Sequence, residues 1–159
     1  MKVVIASDHG GVGIRREIIS LLEELHITYL DLGCDCSGSV DYPDYAIPAA
    51  EKVARGEVDC GILICGTGIG MSIAANKVRG VRCALVHDTF SAKATREHNN
   101  TNMLAMGERV IGPGLACEIV KVWLETPFAG GRHEQRVSKI MEYEGNLGLT
   151  DTFMIPHEK

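Results

Sequence analysis

No apolar run in this 159-residue chain approaches the length needed to cross a bilayer, so a membrane-embedded protein is not expected. Positive charge is not in excess either. Sixteen Lys and Arg stand against 21 Asp and Glu, a net charge of −5, which argues against a nucleic-acid partner because phosphate backbones select basic surfaces. Internal repeats, low-complexity segments and an interdomain linker are all missing. The length fits one domain, expected over residues 1–144, with 145–159 as an aperiodic C-terminal tail. Met1 leads directly into Val3-Val4-Ile5-Ala6, too short an apolar run for a signal peptide and followed at once by Asp8-His9. A cytoplasmic protein is expected.

Two further absences limit the chemistry. The six cysteines come without a signal segment, which argues against a disulfide framework. Cys34-Asp35-Cys36 has no second pair at zinc-finger spacing, so these read as loop thiols and no metal is expected. Cys60, Cys83 and Cys117 fall in apolar patterns and read as small core residues. The one glycine-dense turn is spaced G-x-G-x-G at Gly66, Gly68 and Gly70. It fits neither the dinucleotide fingerprint nor the Gly-Lys-Ser/Thr of a P-loop, and no cofactor is expected.

What the chain does have is centred on that turn. Cys60 to Ile64 is an apolar run that reads as a buried strand, and Met71 to Lys77 reads as a helix opening. A strand, a glycine turn and a helix together form an anion-binding device, with bare N–H groups backed by the positive end of a helix dipole. Cys65 stands where strand becomes turn, a place where a thiol is a usable base or nucleophile.

The rest alternates strand and helix. Strands are expected at 2–7, 27–32, 59–64, 81–86 and 103–106. Helices are expected at 12–25, 46–55, 71–77, 89–97, 115–124 and 132–143, with Pro48 in the first turn of the second and Gly56 ending it. This is an α/β pattern: a three-layer α/β/α sandwich around a five-stranded parallel, Rossmann-like sheet. In such sheets ligands bind beyond the carboxyl ends of the strands. That rule brings Asp8-His9, the Cys65–Gly70 turn and His87-Asp88 to one edge.

Outside that edge, Arg96-Glu97-His98-Asn99 closes a helix, and His98 could serve as a catalytic group or merely satisfy the helix end. Arg132 and Arg136, at i and i+4 on a helix start, suit a phosphate or a solvated face. A cysteine hydrolase using Cys65 and His98 and a non-catalytic sugar-phosphate sensor stay open on the residues alone.

Five segments together carry a resemblance: Ser7-Asp8-His9-Gly10-Gly11, Val40-Asp41-Tyr42-Pro43-Asp44, Ile64 to Lys77, Arg96-Glu97-His98-Asn99 and Gly130-Gly131-Arg132-His133. In register over residues 2–143, the chain resembles the type B ribose-5-phosphate isomerases, a group that includes allose- and galactose-6-phosphate isomerases. The resemblance implies aldose–ketose isomerisation of a phosphorylated sugar through an enediolate, without metal or cofactor, in the non-oxidative pentose phosphate pathway. It implies Cys65 as the base between C1 and C2, with Gly66, Thr67, Gly68, Ile69 and Gly70 holding the oxyanion. His98, helped by Asp8, would open the sugar ring. Asn99 and Tyr42 would line the sugar, and His9, Arg109, Arg132, His133 and Arg136 would hold the phosphate. Sites shared across a homodimer, or a dimer of dimers, are implied as well. Met71 stands where another branch of the family carries a glutamate base, which places this chain with the cysteine branch.

Overall fold

The computed structural model describes residues 1–35 and 38–146. Five strands, β1 (Lys2–Ser7), β2 (Thr28–Asp31), β3 (Cys60–Cys65), β4 (Cys83–Leu85) and β5 (Met103–Gly107), form one parallel sheet in the order β2-β1-β3-β5-β4. Six helices accompany them: α1 (Val12–Glu24), α2 (Pro43–Ala54), α3 (Ile69–Ala75), α4 (Thr89–Asn99), α5 (Pro113–Glu125) and α6 (Arg132–Asn146). None is long and apolar enough to cross a membrane.

Strand alternation sorts the core into two layers. Val3 and Ile5, Ile62 and Ile64, and Leu104 and Met106 face α1 and α5. Val4 and Ala6, Leu63 and Cys65, and Met103 and Ala105 face α2 and α3. Both faces are covered, as a parallel sheet requires, and this is why the central strands read as continuous apolar runs. The chain leaves β1 toward β2 on one side and toward β3 on the other. The crevice at that reversal of strand order is flanked by the ends of β1 and β3, which are Ser7-Asp8 and Cys65.

Several expected boundaries move, each for a local reason. Helix α2 starts at Pro43 instead of residue 46, because Pro43 occupies the first helical position, where the missing N–H costs nothing. Pro48 therefore lies inside the helix, not in its first turn, with its ring on the exposed side. Helix α3 starts at Ile69, behind a left-handed Gly68 (φ 76°). Helix α4 continues through His98 and Asn99 to a left-handed Asn100 (φ 47°). Helix α6 runs on through Gly145 and Asn146, two residues into the segment expected as tail, and 147–159 lie outside the described residues. Cys34 is buried and disulfide-bonded, which corrects its reading as a loop thiol, while Cys36 lies outside the described residues.

One buried polar residue holds the β2–α2 connection. Arg15, on the α1 stripe beside Ile14 and Ile18, is 2% exposed and pairs with Asp35 and with Asp31 (3.6 Å). A Cβ at Gly33 would overlap its guanidinium, so a larger residue there would have to displace Arg15 from this position. Downstream of that clasp the connection delivers Val40 and Tyr42 to the crevice.

Candidate active site

A cleft of about 220 Å³ opens at the carboxyl edge of β1, β3 and β5. Its lining is Asp8, His9, Gly10, Tyr42, Cys65, Gly66, Thr67, Gly70 and Arg109. Each residue arrives by a traceable device. Asp8 is buried (7% exposed), and its Oδ1 accepts the Gly10 N–H at 2.8 Å, which closes a tight turn at the end of β1. His9, on the same turn, faces outward with Nδ1 accepting from the Val40 N–H at 3.2 Å. A Cβ on Gly11 would stand 2.7 Å from the Ile64 backbone, so glycine lets this turn press onto β3.

Cys65 is the last residue of β3, 6% exposed, and its Sγ accepts the Gly68 N–H at 3.0 Å. The Ile69 N–H donates to Thr67 Oγ1 at 3.3 Å. Two of the amides expected to hold an oxyanion thus have partners inside the loop itself. Those of Gly70 and Met71 lie in the first turn of α3, where helix geometry supplies none. Arg109 reaches the loop from β5. Its N–H donates to the Gly66 carbonyl at 3.0 Å, its guanidinium lies over Gly66, and it has no ion-pair partner among the described residues. Tyr42 lies across Gly70, where a Cβ would stand 2.8 Å from Cζ of the ring.

The remaining expected site residues lie elsewhere. Helix α4 leaves the carboxyl edge after β4 and runs antiparallel to the strands, so its eleven residues carry His98 and Asn99 about 16 Å back toward the amino edge. There the His98 ring stacks on His133, centroids 4.3 Å apart and planes 8° from parallel. Consecutive left-handed Gly130 (φ 64°) and Gly131 (φ 57°) turn the chain into α6, and the Ala129 N–H bonds the Glu97 carbonyl at 3.1 Å. Arg132 and Arg136 stand exposed beside the stacked rings. Loss of hydration, then the neighbouring His98 ring and the Arg132 and Arg136 cations, hold His133 below the usual histidine range. One chain therefore carries the expected site residues in two separate clusters. The first has a thiol, a carboxylate and loop amides; the second is cationic and imidazole-rich.

Residues 3–140 match the Ribose/Galactose Isomerase family model. The chain belongs to that family. It is accordingly an isomerase, with the parallel α/β fold of its relatives. It is 76% identical over 145 residues to a putative sugar phosphate isomerase, YwlF, of Bacillus subtilis, covering 91% of this chain and 97% of that one. With ribose-5-phosphate isomerase B of Escherichia coli it shares 48% identity over 143 residues, 90% of this chain and 96% of the other. The solved Clostridium thermocellum ribose-5-phosphate isomerase B superposes with a TM-score of 0.90 at 50% identity, covering 92% of this chain and 99% of that one.

The isomerase fold also shows what sequence reasoning missed. Arg15 passed unnoticed although its i, i+3, i+7 spacing with Ile18 and Leu22 puts it on the buried stripe of α1. Asn76 closes the outer edge of β4 with its side-chain amide, accepting from the Cys83 N–H at 2.9 Å and donating to the Cys83 carbonyl at 2.8 Å. No pattern in the sequence announces that contact. Asp88, expected at the same edge as Cys65, is the N-cap of α4 and accepts from the Ser91 N–H at 2.7 Å.

Proposed function

We propose that this isomerase interconverts D-ribose 5-phosphate and D-ribulose 5-phosphate through an enediolate, at a site completed by a second copy of the chain. The substrate follows the names of relatives that cover nearly the whole chain. The observation that carries the two-copy reading is the separation of the two clusters to opposite edges of one sheet. An antiparallel pair of copies brings the amino edge of one onto the carboxyl edge of the other and gives two equivalent sites. The same separation counts against a Cys65–His98 hydrolase built within one chain.

In this reading His98 of one copy, with Asp8 of the other, moves the ring-hydroxyl and ring-oxygen protons that open the furanose. Cys65 then takes the proton from C2 as the C1 carbonyl becomes an enediolate oxygen, and returns it to C1 as the C2 hydroxyl passes its proton to the C1 oxygen and becomes the ketone. Thr67 and the amides of the Gly66–Gly70 loop face the developing charge. Tyr42 and Asn99 line the carbon chain. His9 and Arg109 from one copy, and Arg132, His133 and Arg136 from the other, hold the phosphate.

The test is isomerisation of ribose 5-phosphate in chelator without added cofactor, with Cys65→Ala alongside. Turnover by the wild type and its loss in the variant is the expected result. Turnover that survives in the variant makes Cys65 structural. Turnover confined to allose or galactose 6-phosphate changes the substrate while leaving the isomerase in place.

A further inference from the structure

We infer that Glu108 is a positioning residue for this site, locking the Asp8–His9 turn, the Cys65 loop and Arg109 into one unit; the kinetic part of this inference rests on the activity proposed above. Helix α1, which follows the Asp8–Gly11 turn, begins without a cap of its own. Its N-cap is Gly11, no side chain caps it, and no acidic residue stands in its first turn. Glu108 supplies the missing acceptor from 94 residues away. Its Oε2 accepts the Ile14 N–H, at the third helical position, at 2.8 Å. Gly13 makes room for the carboxylate, since a Cβ there would stand 2.8 Å from Oε1.

The other end of the same residue grips the catalytic loop. The Glu108 N–H donates to the Cys65 carbonyl at 2.9 Å, and the next N–H, of Arg109, to the Gly66 carbonyl at 3.0 Å. Gly107 presses on Thr67, where a Cβ would stand 2.6 Å from the backbone. Backbone and side chain of one residue thus connect β3, β5 and α1 at the places where each delivers a cleft residue. The direction of the carboxylate matters as well. Committed to the positive end of α1, it leaves the adjacent Arg109 guanidinium without an ion pair and available to an anionic substrate.

Three variants separate these roles. Glu108→Gln keeps an acceptor of the same reach and loses the charge. Glu108→Asp keeps the charge and loses the reach. Glu108→Ala loses both. The expected result is a five- to tenfold rise in KM for ribose 5-phosphate in the Ala and Asp variants, with kcat within threefold of wild type, and a KM within twofold in Gln. A KM unchanged in the Ala variant despite a lowered melting temperature would reduce Glu108 to a stability residue and overturn the inference. Equal losses in Gln and Ala would overturn the argument from reach. A second readout needs no substrate: amide exchange at residues 8–14 and 65–67 is expected to quicken in Ala and not in Gln. Unchanged exchange in Ala refutes the positioning role even if the wild type turns over a different sugar phosphate.

Discussion

Gly70→Ala separates stability from function in a way few substitutions here can. Gly70 is the second residue of α3 and has no left-handed backbone, so alanine fits the main chain and gains about 0.5–1 kcal/mol of helix propensity. The added methyl would stand 2.8, 2.9 and 3.0 Å from three atoms of the Tyr42 ring, closer than carbon atoms pack. Tyr42 is 40% exposed, so its ring can swing outward, leaving the backbone in place. The melting temperature is therefore expected to hold or to rise by about 1–4 °C. The cleft loses the aromatic wall proposed to line the carbon chain, so KM for the sugar phosphate is expected to rise about three- to tenfold, equivalent to about 0.7–1.4 kcal/mol. Steady-state kinetics and thermal melts on Gly70→Ala, Tyr42→Ala and the double variant make the assay. Because both single changes remove the same wall, the double variant should be no worse than Tyr42→Ala. An unchanged KM in Gly70→Ala, or fully additive losses in the double variant, would refute the reasoning.

Gly68→Ala is expected to do the opposite. Its left-handed φ of 76° costs an L-residue about 1–2 kcal/mol, and the methyl would stand 2.8 Å from the Met106 carbonyl carbon, so both melting temperature and kcat should fall. Thiol alkylation at pH 8 should inactivate through Cys65 and be slowed by substrate. Cys60 and Cys83, pushed up to about 12 by burial, should stay unmodified in peptide maps of the inactivated protein. For His133 the folded chain opposes protonation, so its NMR titration midpoint should lie below 6.5 and move up in Arg136→Ala. The sign for stability follows: as pH falls through 6.5 the unfolded state takes the proton first, and His133 makes the fold less stable on the acid side.

Much of this was legible in the sequence, and the reasons are physical. The central strands were found because a sheet covered on both faces needs uninterrupted apolar runs, as in Val3–Ala6 and Ile62–Ile64. The carboxyl-edge rule then placed Asp8, His9 and Cys65 in one cleft without any contact being known. Helix ends were less legible, because Pro43 and Pro48 compete for the same first-turn signal and the chain settles it by starting at the earlier one. Side-chain contacts between different elements were not legible at all. Glu108 on Ile14, Asn76 on Cys83 and Arg15 on Asp35 depend on which elements become neighbours, and a local pattern does not encode that. The resemblance implied sites shared between copies but not which residue each copy would supply; the proposed assignment rests on α4, which carries His98 away from Cys65.

That assignment is the central claim, and subunit mixing tests it most directly. Cys65→Ala and His98→Gln are each expected to be inactive alone. If one site draws Cys65 from one copy and His98 from the other, exchanging subunits between the two variants rebuilds one intact site in each mixed dimer. Activity then returns to about a quarter of the wild-type level at equal mixing, the share given by random two-fold pairing. No recovery after demonstrated exchange would contradict the account, because both groups would then have to act within a single chain.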